Sequence, residues 1–192
     1  MNCSNPIDAA VLADYWLAAL AKPEEEAVEE HLLECERCGA RLREVIALAE
    51  GVGKLAREGC LRLVVSDAFL QRAAQEGLHV REYALPPGGG VQCTVTAEDD
   101  ILIGRLAANL SGAKRVDLCI CDERGVEQLR LPDIPVHPGA SAVAYQESIT
   151  FAKAAPTNKM IARLVAFDEA GERLLGEYTF NHTRSLPGPG AW

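Results

Sequence analysis

The sequence has few of the features that place a chain in a membrane or build an active site. No apolar run approaches the roughly 20 residues that a membrane-spanning helix needs, although 48% of the 192 residues are hydrophobic. The N-terminus has no basic flank leading into an apolar stretch, so no signal peptide is expected. There is no Ser-His-Asp order and no paired-carboxylate pattern. Pro87-Gly88-Gly89-Gly90 lacks the lysine and the strand-to-helix setting of a phosphate-binding loop. His79, His137 and His182 are isolated and far apart, which argues against a histidine-rich metal site in the C-terminal half. These absences predict a cytoplasmic protein that is not an enzyme.

What the chain does contain is sulfur. Its seven cysteines are Cys3, Cys35, Cys38, Cys60, Cys93, Cys119 and Cys121. An odd number without a secretion signal argues against a disulfide scaffold and favours metal binding or redox chemistry. Charge is uneven as well. Residues 1–58 hold 12 acidic and 6 basic side chains, more than half of the net charge of −9. An acidic helical segment is a poor ligand for phosphates and suits a basic protein partner, so direct nucleic-acid and membrane binding are not expected.

The sharpest motif is His31-Leu32-Leu33-Glu34-Cys35-Glu36-Arg37-Cys38. His31 and Cys35 are four residues apart and share one helical face. Cys38 follows at the two-residue gap that lets two thiolates hold one ion. Imidazole and two thiolates make three ligands of a tetrahedral zinc site. Closing it takes a fourth, and Cys3 is the best candidate upstream. The alternative is that His31 and the two cysteines simply pack in a helical hairpin.

The run Ala10 to Tyr15, then Pro23-Glu24-Glu25-Glu26, then Glu30 to Cys38 resembles the zinc-associated anti-sigma domains of bacteria, the zinc-finger anti-sigma factor family. The resemblance covers residues 1–58. It implies a small zinc-binding helical bundle with a fourth His or Cys ligand near the N-terminus, the place of Cys3. It further implies binding to an alternative sigma factor of the extracytoplasmic-function type. Such a domain lies between the sigma factor's two main domains and masks the surfaces that RNA polymerase uses.

Asp8 falls at the start of a first helix, where a carboxylate suits the helix dipole. Val11, Leu12 and Tyr15 recur at helical spacing, and Trp16 beside them is either a partner anchor or a lid on the core. Pro23 opens a second helix that runs to Glu34, with Cys35 to Cys38 as the corner. A third helix starts near Gly39, with Gly51 and Gly53 weakening its distal half. Residues 59–78 read as a connector carrying a helix from Asp67 to Glu76, capped by Ser66 and stopped by Gly77. That helix either grips the sigma factor or packs on the domain that follows.

From His79 the period changes to that of strands. The predicted strands are His79–Leu85, Val91–Val95, Ile101–Asn109, Arg115–Cys121, Val126–Leu131, Ala142–Ile149, Met160–Phe167 and Glu172–Phe180. Two of the turns read Asp-Glu-x-Gly, at 122–125 and 168–171. Glycine there supplies the left-handed conformation of a hairpin bulge; calcium binding at these turns and at Asp99-Asp100 is the costlier explanation. Cys119 and Cys121 share a strand face and read as core packing rather than a redox pair.

The expected architecture is therefore a multi-domain α plus all-β chain. A zinc-binding helical bundle at 1–58 precedes the 59–78 connector, an antiparallel β-sandwich at 79–184 and a flexible tail at 185–192. The expected function is a cytoplasmic anti-sigma factor, with the β domain as sensor or second clamp. Release of the sigma factor has two possible routes, oxidation of the zinc thiolates or a signal read by the β domain over a structural zinc; the second is favoured slightly. The rivals are a zinc-stapled adaptor with no sigma partner and a β domain that binds a small ligand.

Overall fold

A computed structural model describes residue 3 and residues 5–113, 115–136, 139–168 and 171–184. The chain divides into two compact units, Met1–Leu55 and Ala56–Trp192. No helix among the described residues is long and apolar enough to cross a membrane.

The first unit is helical. α1 (Ala9–Trp16) is capped by Asp8, whose carboxylate accepts the Ala10 N–H at 2.8 Å. It buries Leu12 completely. α2 (Lys22–Glu34) begins at Pro23, and Glu24 accepts the Ala21 N–H while Glu24 and Glu25 face the positive helix end. Tyr15 of α1 donates to Glu29 of α2 at 3.4 Å. α3 (Glu36–Arg57) starts three residues earlier than the sequence predicts. The corner is Cys35 alone, in an extended conformation between the two helices. Gly39 N–H already bonds to the Cys35 carbonyl at 3.1 Å, so Cys38 belongs to the first turn of α3. Gly51 and Gly53 do not interrupt the helix.

The second unit runs β1 (Leu63–Val65), α4 (Asp67–Gln75), β2 (Val80–Leu85), β3 (Gly90–Cys93), β4 (Ile101–Ala107), β5 (Arg115–Cys121), β6 (Glu127–Ile134), β7 (Ala142–Glu147), α5 (Ile149–Ala154), β8 (Asn158–Asp168) and β9 (Gly171–His182). Ser66 caps α4 through the Phe69 N–H. One sheet has the order β1-β7-β4-β2 and the other β3-β9-β8-β5-β6.

The sheets are mixed, which corrects the expectation of a purely antiparallel arrangement. β2 pairs with β4 in parallel, as does β3 with β9. The reason is topological. β3 lies between β2 and β4 in sequence but belongs to the other sheet, so β2 and β4 come together running the same way. Alternation in a sequence reports which face is buried, not which way a neighbour runs. The other difference is α5: the strand expected over 142–149 ends at Glu147, and Ser148 caps a short helix by accepting the Phe151 N–H.

Side chains from both sheets share one core. Leu85, Leu106 and Tyr145 of the first sheet cluster with Leu118, Leu164, Tyr178 and Phe180 of the second. Each such large apolar side chain contributes about 1.5–3 kcal/mol by burial. Tyr178 donates its phenol proton to the Ala107 carbonyl across the two sheets. The helix of the 59–78 stretch packs here too: Leu70 and Ala73 of α4 cover Ile101, Ile103 and Ala144 on the other face of the first sheet. Cys119 and Cys121 are buried with Ile161 and Val165, as packing residues. At the first Asp-Glu-x-Gly turn, Asp122 accepts the N–H groups of Arg124 and Val126, and Gly125 has φ +79°. The middle of the second such turn, His137 and the 185–192 tail lie outside the described residues.

Candidate metal centre

The helical corner brings four soft donors to one point. His31 is in the last turn of α2, Cys35 is the pivot between α2 and α3, and Cys38 is in the first turn of α3. Cys3 arrives from the N-terminal segment. Arg41 of α3 fixes that segment by donating to the Ile7 carbonyl at 3.0 Å. His31 Nε2 lies 3.2 Å from Cys38 Sγ and 3.6 Å from Cys3 Sγ, and the Cys3 and Cys38 sulfurs are 4.0 Å apart. All four donor atoms lie within 4.8 Å of one another, and Cys38 is fully buried. Among the described residues this is the one group of three or more His, Cys, Asp or Glu donors so placed.

The donor set fits a metal by two criteria. A tetrahedral ion with metal–sulfur bonds near 2.3 Å and metal–nitrogen bonds near 2.0 Å sets donors about 3.6–3.8 Å apart. The three separations above bracket that range. The second criterion is charge. The Cys38 backbone N–H at the start of α3 lowers the Cys35 thiol to about 6 against the opposing effect of desolvation, helped by the side chains of Cys3, Cys38 and His31. Desolvation and the neighbouring Cys35 and Cys38 sulfurs push the Cys3 thiol up instead. One thiolate forms readily and its neighbour then resists ionisation. A cation among the donors removes that conflict, since metal ligands bind deprotonated.

The remaining acidic candidates are structural. Asp99 is buried and accepts from Arg81 Nε at 2.6 Å and from the Thr96 N–H at 2.7 Å. Asp100 accepts the His79 N–H at 2.9 Å. A feature that the sequence does not disclose lies in the second unit. A cavity of about 860 Å³ opens at one end of the space between the sheets, with Arg62, Tyr145, Glu147 and His182 in its wall. Those residues span 120 positions, and only His182 stands out in the sequence, as an isolated histidine.

No protein-family model matches the chain, and no curated protein matches it. Solved structures that resemble it loosely include the following two. The N-terminal domain of phage TP901-1 ORF48 is 8% identical, covers 56% of this chain and 100% of its own, and has a TM-score of 0.35. CopC from Methylosinus trichosporium OB3b is 10% identical, covers 66% of this chain and 98% of its own, and has a TM-score of 0.28. Likenesses at this level carry no argument about function.

Proposed function

We propose that this chain is a cytoplasmic anti-sigma factor whose helical unit is organised by a structural zinc ion and binds an alternative sigma factor by steric occlusion. The observation that carries the reading is the convergence of Cys3, His31, Cys35 and Cys38 at the α2–α3 corner. A thiolate at the end of α2, another in the first turn of α3, an imidazole and a third thiolate suit zinc above the hard cations, which prefer oxygen. Zinc at that corner would tie the 13-residue α2, too short to be stable on its own, to α3 and to the segment that leads into the 8-residue α1.

Two further features favour a protein partner. Leu48, Val52 and Leu55 recur at four and three on α3 and are exposed, and Trp16 is 41% exposed on α1. Apolar anchors set in an acidic unit are what a basic partner with an apolar groove would recognise. The choice of a sigma factor rests on the resemblance of residues 1–58 alone. In this reading the second unit, a β-sandwich, acts as sensor or second clamp.

The test is an affinity pull-down of the full chain from its own cells, under reducing conditions with zinc retained. One sigma factor recovered in about equal amount, and lost with His31→Ala or Cys38→Ser, is the expected result. Recovery of other proteins and no sigma factor, with zinc content at one per chain, would overturn the sigma reading and leave a zinc-stapled adaptor.

A further inference from the structure

The cavity in the second unit has the composition of a small-molecule site. Its volume, about 860 Å³, falls within the range of pockets that enclose drug-sized ligands. Its wall includes the C-terminal end of β7, α5, the start of β8 and the end of β9. Leu102, Ile120, Met160 and Phe180 supply apolar wall from both sheets. The charged groups in the wall balance: Arg62, Arg124 and Lys159 against Asp122, Glu123 and Glu147. One pair is already neutralised, since Glu147 accepts from Arg62 Nε and from the Tyr145 phenol. Arg62 also stacks on Phe151, its guanidinium carbon 4.3 Å from the ring centroid.

One polar atom in this wall is unexplained. His182 is only 9% exposed, and its Nε2 is shielded from water with no hydrogen-bond partner among the described residues. Burial and the nearby Arg184 favour the neutral ring. A neutral imidazole has one donor and one acceptor nitrogen, and a buried nitrogen left unpaired costs about 1–3 kcal/mol. His182 itself lines the cavity, and a turn of its ring that brings Nε2 to the wall would let a ligand polar group recover that cost.

We infer that this cavity binds an uncharged, largely apolar small molecule that presents a hydrogen-bonding group to His182. With three cationic and three anionic side chains the wall has no net charge, which favours an uncharged ligand over a strongly ionic one. The inference uses residues of the second unit only and is independent of the metal centre and of any sigma partner.

The test uses the full zinc-loaded chain and two fluorescent probes with one ring system. N-phenyl-1-naphthylamine is uncharged and has a single N–H. 8-Anilinonaphthalene-1-sulfonate adds a sulfonate. The expected result is saturable binding of the uncharged probe at one site per chain, at least tenfold tighter than the sulfonate. Met160→Trp and Leu102→Trp fill the cavity from opposite sheets, and either one that keeps the wild-type circular dichroism should abolish binding. His182→Phe keeps the volume and should weaken the amine probe roughly fivefold, with no effect on 1-phenylnaphthalene, which has no N–H. Three results would each overturn the inference: non-saturating binding, binding that survives both tryptophan variants, or a sulfonate that binds as tightly as the amine.

Discussion

Cys3 Sγ stands 3.6 Å from His31 Nε2, although 28 residues separate them in the chain. That proximity closes a three-donor motif into a four-donor cluster. The purified chain is accordingly expected to retain one zinc per molecule through dialysis. Cobalt substituted for zinc should give the visible spectrum of a tetrahedral thiolate site. His31→Ala and Cys38→Ser should lose the metal and much of the helical signal of the first unit. Cys60→Ser is the control, because Cys60 is exposed and outside the cluster. Plasma mass spectrometry on the four proteins reads the outcome directly, and full zinc content in the Cys38 variant would rule the centre out.

Thiol chemistry checks the same corner without metal analysis. Removing the metal with a chelator should open Cys3, Cys35 and Cys38 to alkylation, since the thiolates are no longer held by the ion. Cys119 is pushed up to about 12 by burial and the nearby Glu127, and should stay unmodified in the native chain. Zinc should protect Cys3, Cys35 and Cys38 together, leaving Cys60 as the first site labelled. Peptide mapping after a short pulse of iodoacetamide distinguishes these rates; alkylation of Cys35 at equal speed with and without zinc is the contrary result.

How much of this could be read beforehand depends on the range of the interaction. Asp8 and Ser66 are caps that act on N–H groups two and three residues away, so the local sequence announces them. His31 and Cys35 share a helical face for the same local reason. Cys3 was recoverable only by need, because a closed zinc site requires a fourth donor. The parallel β2–β4 pairing was not legible, since it follows from β3 crossing to the other sheet. α5 was not legible because Ile149 reads as the end of the strand that in fact stops at Glu147; the Ser148 cap was the available signal. The cavity was out of reach altogether. Arg62, Glu147 and His182 acquire a common meaning only when two sheets face each other.

Gly59 and Gly77 both have positive φ, at +66° and +84°, yet they should respond differently to alanine. A Cβ on Gly59 would fall 2.2 Å from the Asp100 carbonyl oxygen and 2.6 Å from Ile149 Cγ2. Neither can move cheaply, because the Ile149 N–H is itself bonded to the Gly59 carbonyl at 2.7 Å. Gly77 closes α4, where the Leu78 N–H bonds to the Ala73 carbonyl, and among the described residues no atom lies within 4 Å of where its Cβ would be. Gly77→Ala should therefore cost only the left-handed backbone term, about 1–2 kcal/mol. Gly59→Ala should exceed about 3 kcal/mol, in the range of severe steric changes. Urea titrations of the two variants test the ranking, and equal midpoints would contradict the packing at Gly59.

Asp117 is the buried charge whose removal should be felt most in the second sheet. Its side chain is 1% exposed. It accepts from Arg115 Nε at 3.2 Å, from Arg130 Nη1 at 3.1 Å and from the Asp133 N–H at 3.1 Å. Burial alone would raise its pKa, but the Asp133 N–H and the two guanidinium groups outweigh that and hold the carboxyl below its ordinary 3.8. A carboxyl lowered on folding stabilises the folded state above its unfolded value and loses that contribution as pH falls through the folded one. The advantage of the wild type over Asp117→Asn should thus be full at neutral pH, about 2 kcal/mol after allowing for the partial exposure of both arginines. It should shrink below about pH 5 and vanish in strong acid. The comparison cancels Asp99, whose carboxyl is also lowered, because both proteins retain it. Denaturant midpoints of the two proteins between pH 7 and pH 2 provide the measurement; a gap that stays constant on acidification would show that Asp117 contributes through packing rather than through its charge.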